Sequence, residues 1–111
     1  MLEKEFQGAV VELARHGGWC VHHTRTVRIQ NGGYTSPGMD AGFPDLVLAH
    51  AEKGVIFAEL KTDKGRTSAG QDRWLEVLRQ AGAEVYIWRP SQMKLIADRL
   101  CPHPTYLRRI K

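Results

Sequence analysis

Three charged side chains sit inside strand-like runs in "GFPDLVLAHAEKGVIFAELK", residues Gly42 to Lys61. Asp45 heads the first run, and Glu59 and Lys61 close the second. A strand that only scaffolds a sheet favours Val or Ile at such positions. Side chains alternate along a strand, so Glu59 and Lys61 share one face while Leu60 points into the opposite layer. If the two runs pair as a hairpin, the start of the first lies opposite the end of the second, and the three groups converge. Two carboxylates at short range form a hard oxygen cage suited to Mg²⁺ or Mn²⁺, completed by water and phosphate oxygens. An ion held there polarises a phosphoryl group, lowers the pKa of a water and steadies the leaving oxygen. An ammonium beside it positions the attacking water or offsets charge on the phosphate. Gly42 permits a close approach ahead of the aspartate, and Pro44 restricts the backbone just before it. The plainer alternative is an exposed ion pair at a strand end, which is common and contributes little. On Glu-x-Lys alone that alternative prevails; Gly-x-Pro-Asp ahead of it shifts the balance toward chemistry.

The elements that must position these groups can be read from periodicity. "EKEFQGAVVELARHG" places Phe6, Val10 and Leu13 at helical spacing, with Ala9 and Val11 widening the stripe, and Gly17-Gly18 ends that helix. "WCVHHTRTVRI", residues 19–29, is rich in aromatic and β-branched residues and reads as one strand. "QNGGYTSPGMDAG" reads as a loop. The hairpin follows, with strands near 44–49 and 55–60 around a turn at Glu52-Lys53-Gly54. Ser68 opens a helix to about Gln80 whose apolar stripe is Trp74, Leu75 and Leu78, and Gly82 stops it. "AEVYIWR" is a further short strand, and "SQMKLIADRL" a last helix with Ser91 as its expected N-cap. The order is α-β-β-β-α-β-α. The strands at 55–60 and 84–88 flank a helix, so they should be parallel with a right-handed connection. The expected fold is an α/β domain, a small mixed sheet flanked by helices.

"GFPD", "AELK" and "GRTSAGQDRWLEVLRQAGAEVYIWRP", in that order, resemble the virus-type replication-repair nuclease (VRR-NUC) domain of the PD-(D/E)xK superfamily. The likeness runs from "EKEFQ" to the final helix, so residues 1–111 are expected to form one such domain, with a basic tail from about 101. It implies a restriction-endonuclease-like core and a Mg²⁺- or Mn²⁺-dependent DNA endonuclease. It further implies a homodimer that acts on branched DNA such as four-way (Holliday) junctions, in replication, repair or recombination. Carried onto this chain, Asp45, Glu59 and the backbone carbonyl of Leu60 would be metal ligands, and Lys61 the catalytic lysine. Gln71 falls on the helix glutamine that such enzymes place beside the lysine. A glutamate four residues before a glutamine on the first helix corresponds to Glu3 and Gln7, with Glu5 and then Glu12 as rivals for the acidic place.

Supporting residues have plainer readings as well. Ser68-x-x-Gln71 fits a capping box, in which the glutamine only satisfies a helix N-terminus. Yet Gln71, Trp74, Leu75 and Leu78 follow one stripe, so Gln71 faces the sheet and needs a polar partner there. His22 and His23 are strand neighbours on opposite faces and cannot easily share one ion. They read as surface or phosphate-contacting groups, His16 as a helix-dipole partner and Trp74 as core. Lys64 and Arg66 follow Lys61 in a polar loop and are the foremost candidates for phosphate contacts, with Arg25, Arg28 and Gln7 beside them. Arg108, Arg109 and Lys111 add a basic end. No helix-turn-helix or base-reading finger is visible, so recognition of backbone and shape is expected.

At 111 residues the chain holds one core, not two, and its 42% hydrophobic and 25% charged residues are those of an ordinary globular protein. The net charge of +4 favours a polyanionic partner, and equally serves solubility. Cys20 and Cys101 are isolated, which argues against a zinc site or disulfide framework and fits a reduced, cytoplasmic setting. The charged start "MLEKEFQ" and the lack of a long apolar run predict neither signal peptide nor membrane anchor. Symmetric cutting of a junction needs two sites related by a two-fold axis. Trp19, Tyr34, Trp88 and Tyr106 are candidate interface anchors, or else caps of a monomer's core.

Overall fold

The computed structural model of the protein describes residues 1–24, 27–28, 34–35 and 41–102. Helix α1 (Glu3–His16) leads into strand β1 (Cys20–His23), and two short strands, β2 (Val27–Arg28) and β3 (Tyr34–Thr35), follow. Next come β4 (Leu46–His50), β5 (Gly54–Leu60), helix α2 (Ala69–Gln80), β6 (Glu84–Trp88), a 3₁₀ turn at Pro90–Gln92 and helix α3 (Met93–Leu100). Arg25, Tyr106, Arg108, Arg109 and Lys111 lie outside the described residues, as does most of the Gly-rich stretch. None of the described helices is long and apolar enough to cross a membrane.

Four strands make one mixed sheet in the order β1-β4-β5-β6. β1 and β5 both run antiparallel to β4, and β6 runs parallel to β5 across the α2 crossover. Period-two alternation divides the side chains between two layers. Leu46, Leu48, Ile56, Ala58, Leu60 and Trp88 face α1 and α3, where Phe6, Val10, Ala14, Ile96 and Leu100 close the buried core. Phe57 and Glu59 occupy the alternate positions of β5, on the side covered by α2. There Phe43 meets Phe57 and Trp74 edge-on, with ring centroids 6.3 and 4.9 Å apart. Trp74 is therefore half-buried in a small aromatic cluster beside the Pro-Asp loop, not part of the main core as its spacing implied.

The expected strand at 19–29 breaks after His23. Pro44 has no N–H with which to extend the β4 ladder. Thr24 closes it instead, its amide donating to the Asp45 carbonyl at 2.8 Å and its hydroxyl to the Pro44 carbonyl at 2.8 Å. The chain then leaves the sheet, and β2, inside the run read as one strand, pairs antiparallel in a separate ribbon with β3, which falls where the sequence reads as loop. Ser91 does not cap α3. Its amide donates to Asp63 Oδ1 at 3.0 Å, and the Pro90–Gln92 turn shifts the helix start to Met93. Trp19 and Trp88 are 3% and 5% exposed, so both belong to the core and neither is an interface anchor.

The two ends of the sheet differ in kind. At the end formed by Trp19, the β4–β5 turn and the start of β6, Arg99 binds both oxygens of Glu84, at 2.7 and 2.9 Å. The same guanidinium donates to the Lys53 carbonyl at 2.8 Å and lies 5.1 Å from the Trp19 ring centroid. The Trp19 indole N–H in turn donates to the Leu100 carbonyl at 2.8 Å. Hydrogen bonding from Arg99 holds the Glu84 carboxyl below its ordinary pKa. Four elements are thereby tied together at one end, and the opposite end is left open.

Candidate active site

That open end gathers the close of β1, the start of β4 and the carboxyl ends of the parallel strands β5 and β6. In open α/β sheets such strand ends are where ligands bind. The β4–β5 register pairs Leu46 with Ala58, so one step further outward sets Asp45 opposite Glu59 on the α2 side. Asp45 Oδ2 accepts the Leu60 amide at 2.9 Å, which ties the aspartate to the neighbouring strand. Lys61 follows on the same face as Glu59, its amide donating to the Trp88 carbonyl at 3.0 Å.

Glu59 is 1% exposed, unusual for a carboxylate. Its Oε2 accepts Gln71 Nε2 at 2.7 Å and lies 3.6 Å from Lys61 Nζ. Its Oε1 is buried and has no hydrogen-bond partner among the described residues. Burial pushes the Glu59 carboxyl up to about 7, and the like charge of Asp45 adds to that, while Lys61 opposes it. Two carboxylates thus face one ammonium, leaving local negative charge that a buried site cannot easily tolerate. An orphaned buried oxygen beside a second carboxylate is a donor set that fits a hard divalent cation. The described residues gather no group of three or more His, Cys, Asp or Glu side chains.

Gln71 serves two purposes at once. Its Oε1 accepts the Ser68 amide at 2.8 Å, and Ser68 Oγ accepts the Gln71 amide at 3.2 Å, a complete capping box. Because Oε1 is occupied by the helix N-terminus, the N–H₂ end is the one turned toward Glu59. The capping interpretation and the site interpretation are therefore the same geometry.

The first turn of α2 reaches Glu59 because two glycines let the backbones touch. Gly42 has φ +96°, and a Cβ placed on it would lie 2.3 Å from the Gly70 carbonyl carbon. A Cβ on Gly70 would meet the Ala41 carbonyl oxygen at 3.0 Å. Thr24, from the other side, holds the Pro44 and Asp45 carbonyls. The sequence pattern marks Gly42 and passes over Gly70 and Thr24. For Thr24 the available signal is a polar residue at the end of an otherwise alternating strand.

Among the described residues, the other candidates make no hydrogen bond or ion pair with the Asp45, Glu59, Lys61 or Gln71 side chains. Glu3 is exposed at the start of α1, and Glu5 accepts the Leu2 amide at 3.1 Å, a local cap. Gln7 shares a 3.3 Å hydrogen bond with His23 Nδ1 on the α1 side of the sheet, away from Gln71. Both flank a surface groove of about 720 Å³ between α1 and β1 that contains none of Asp45, Glu59 and Lys61. Lys64 and Arg66 are exposed on the loop after Lys61. Arg28 is placed on β2 by its backbone.

With this geometry in view, comparison with known proteins is direct. The VRR-NUC domain family matches residues 29–92, a span that holds Asp45, Glu59, Lys61 and Gln71 and leaves α1 outside. The chain belongs to the VRR-NUC domain family. It is thereby a member of a nuclease family, as the Pro-Asp and Glu-x-Lys pieces implied. A solved "VRR_NUC domain protein" has the same fold, with a TM-score of 0.57 over 80% of this chain and 78% of that one. The two are 19% identical, so that likeness concerns the fold alone. Comparison with curated proteins gives no match.

Two outcomes follow from the packing and the buried charge. Gly42→Ala should destabilise the protein by about 1–3 kcal/mol, through positive φ and the clash with Gly70. Chemical denaturation should show it, together with loss of the Gln71–Glu59 contact in a crystal structure. Glu59→Gln should stabilise the protein in chelator at pH 8, where the wild type must bury an ionised group. The folded carboxyl binds its proton more tightly than the unfolded one, so the wild type loses stability as pH rises from about 4.5 to about 7. The difference should reach about 2–3 kcal/mol above that window and vanish below it, read from Tm against pH.

Proposed function

We propose that the protein is a divalent-metal-dependent DNA endonuclease that hydrolyses phosphodiester bonds, with Mg²⁺ or Mn²⁺ as its cofactor. The observation that supports this most is the buried Oε1 of Glu59, without a hydrogen-bond partner among the described residues, on a carboxylate opposed by Asp45 and with its Oε2 3.6 Å from Lys61 Nζ. Asp45 and Glu59, with the Leu60 carbonyl at the strand end, would hold the ion, which when bound supplies electrophilic activation of the scissile phosphate. Gln71 steadies Glu59 by occupying Oε2, so that Oε1 stays available. The Lys61 side chain is 18% exposed, anchored beside Glu59 yet within reach of solvent and substrate. Its ammonium can orient a water and offset charge that builds on the phosphate. Lys64 and Arg66 would grip neighbouring phosphates. Glu3 remains a proposed further acidic group, since Glu5 is used by the Leu2 amide.

A non-catalytic DNA-binding module with the same fold is the rival from another class. The retention of all four of Asp45, Glu59, Lys61 and Gln71 in contact-making positions favours catalysis, because a binding module has no use for a buried carboxylate. We place the enzyme in a reduced cytoplasmic compartment, in keeping with two free cysteines. For the substrate we favour branched DNA, four-way junctions above flaps or forks, and for the assembly a homodimer whose two sites, related by a two-fold axis, supply a symmetric pair of nicks.

Purified protein should cut DNA in Mg²⁺ or Mn²⁺ and not in chelator. Asp45→Ala and Glu59→Ala should abolish cutting with loss of metal binding by calorimetry. Lys61→Ala should lower cutting at least about 100-fold with metal binding retained. A Lys61→Ala enzyme that cuts at the normal rate would refute the assigned chemistry. For the assembly, light scattering should give twice the chain mass, and a mobile junction should receive paired nicks. A monomer making unpaired nicks would exclude the dimer and leave the nuclease assignment standing.

A further inference from the structure

Arg89 has no role in the chemistry above, yet its guanidinium is committed to backbone. Nη1 donates to the carbonyls of Thr62 at 2.6 Å, Gly65 at 2.7 Å and, more weakly, Asp63 at 3.4 Å. The ion pairs among the described residues do not include it. A long basic side chain at a strand end ordinarily extends into water; this one turns inward and holds a loop from beneath. Two further bonds close the frame: the Gly65 amide donates to the Thr62 carbonyl at 3.1 Å, and Asp63 Oδ1 accepts the Ser91 amide at 3.0 Å. The chain from Thr62 to Gly65 is thereby curled around a single cation.

That curl sets what the loop displays. Lys64 and Arg66 flank Gly65, both exposed, with no ion pair or hydrogen bond to another described residue. Free in a six-residue polar loop, two long cationic side chains would sample many positions, and each phosphate contact would have to overcome that entropy. Lys61 is placed independently, by the β5–β6 ladder through the Trp88 carbonyl.

We propose that Arg89 is a positioning residue that clamps the Thr62–Gly65 loop and so presents Lys64 and Arg66 as a preformed phosphate grip beside the Asp45–Glu59 site. The proposal rests on the DNA reading given above. Arg89 acts on DNA affinity through the two exposed cations, and leaves the chemical step to Lys61.

Arg89→Met tests this, with Arg89→Lys as the variant that keeps the net charge but ends one bond short of the Nη1 position that makes the contacts. Hydrogen exchange at the Gly65 amide is read first, because it needs no DNA. Protection should fall in both variants while the core amides of β5 keep theirs; unchanged protection overturns the clamp whatever DNA does. Affinity for a fixed junction is then measured with Ca²⁺ replacing Mg²⁺. Arg89→Met should weaken binding about 10-fold and flatten the salt dependence by about one to two phosphate contacts' worth. In the Lys64→Ala/Arg66→Ala background the same change should have little further effect, since the groups it positions are gone. At saturating DNA, turnover in Mg²⁺ should stay within about twofold, so KM moves and kcat does not. Effects that multiply in the combined variant, or full restoration by Arg89→Lys, overturn the positioning role. If the wild type binds no DNA although Gly65 is protected, the DNA reading itself is overturned and the clamp remains a feature of the fold.

Discussion

A carboxylate that is 1% exposed and faces another carboxylate is the constraint around which the open end of this protein is organised. Burying one charge in a medium of low polarity is unfavourable by several kcal/mol unless partners compensate it. Glu59 has a partial set among the described residues: the Gln71 amide on one oxygen, Lys61 at 3.6 Å and no hydrogen-bond partner on the other oxygen. A purely structural role would have been served better by Gln or Leu. The incomplete compensation is what makes the arrangement informative, because strongly perturbed, under-satisfied ionisable groups collect where chemistry is done.

Holding that arrangement requires backbone to approach backbone. Gly42 and Gly70 let the Pro-Asp loop touch the first turn of α2, and Gln71, one residue on, reaches Glu59 as a direct consequence. Thr24 grips the Pro44 and Asp45 carbonyls from β1. Phe43 leans on Trp74 and Phe57 to keep the loop against the sheet. Each contact is ordinary alone. Together they fix one loop from three sides.

How far this could be read beforehand depended on the range of the contacts. The hairpin, both crossover strands and α2 with its Ser68 cap were legible, because alternation and capping are local. So was the pairing of Asp45 with Glu59, since a short turn fixes register. What was not legible joins residues distant in sequence. Thr24 to Pro44, Gly42 to Gly70 and Arg89 to Thr62 and Gly65 are pairings that no local pattern announces. Ser91 illustrates the opposite error: a good N-cap by type was diverted because Asp63, 28 residues earlier, claimed its amide. The strand assigned to 19–29 overran for a similar reason, since its β-rich composition gave no sign that the partner strand would end at a proline.

The separation between the two ends of the sheet has an energetic logic. The Arg99–Glu84 pair, its bond to the Lys53 carbonyl and the Trp19 indole bridge four elements at the end opposite the candidate site. There a bidentate ion pair is half-buried and complete, so its groups keep their charges in the ordinary sense and hold the fold. At the other end the groups are left incomplete, and the stability lost there must come from elsewhere in a domain with a single core. Sites separated by the length of a strand and sharing no partners contribute to stability almost independently. The incomplete end is therefore free to be tuned for a substrate while the braced end and the α1–α3 core keep the sheet in one piece.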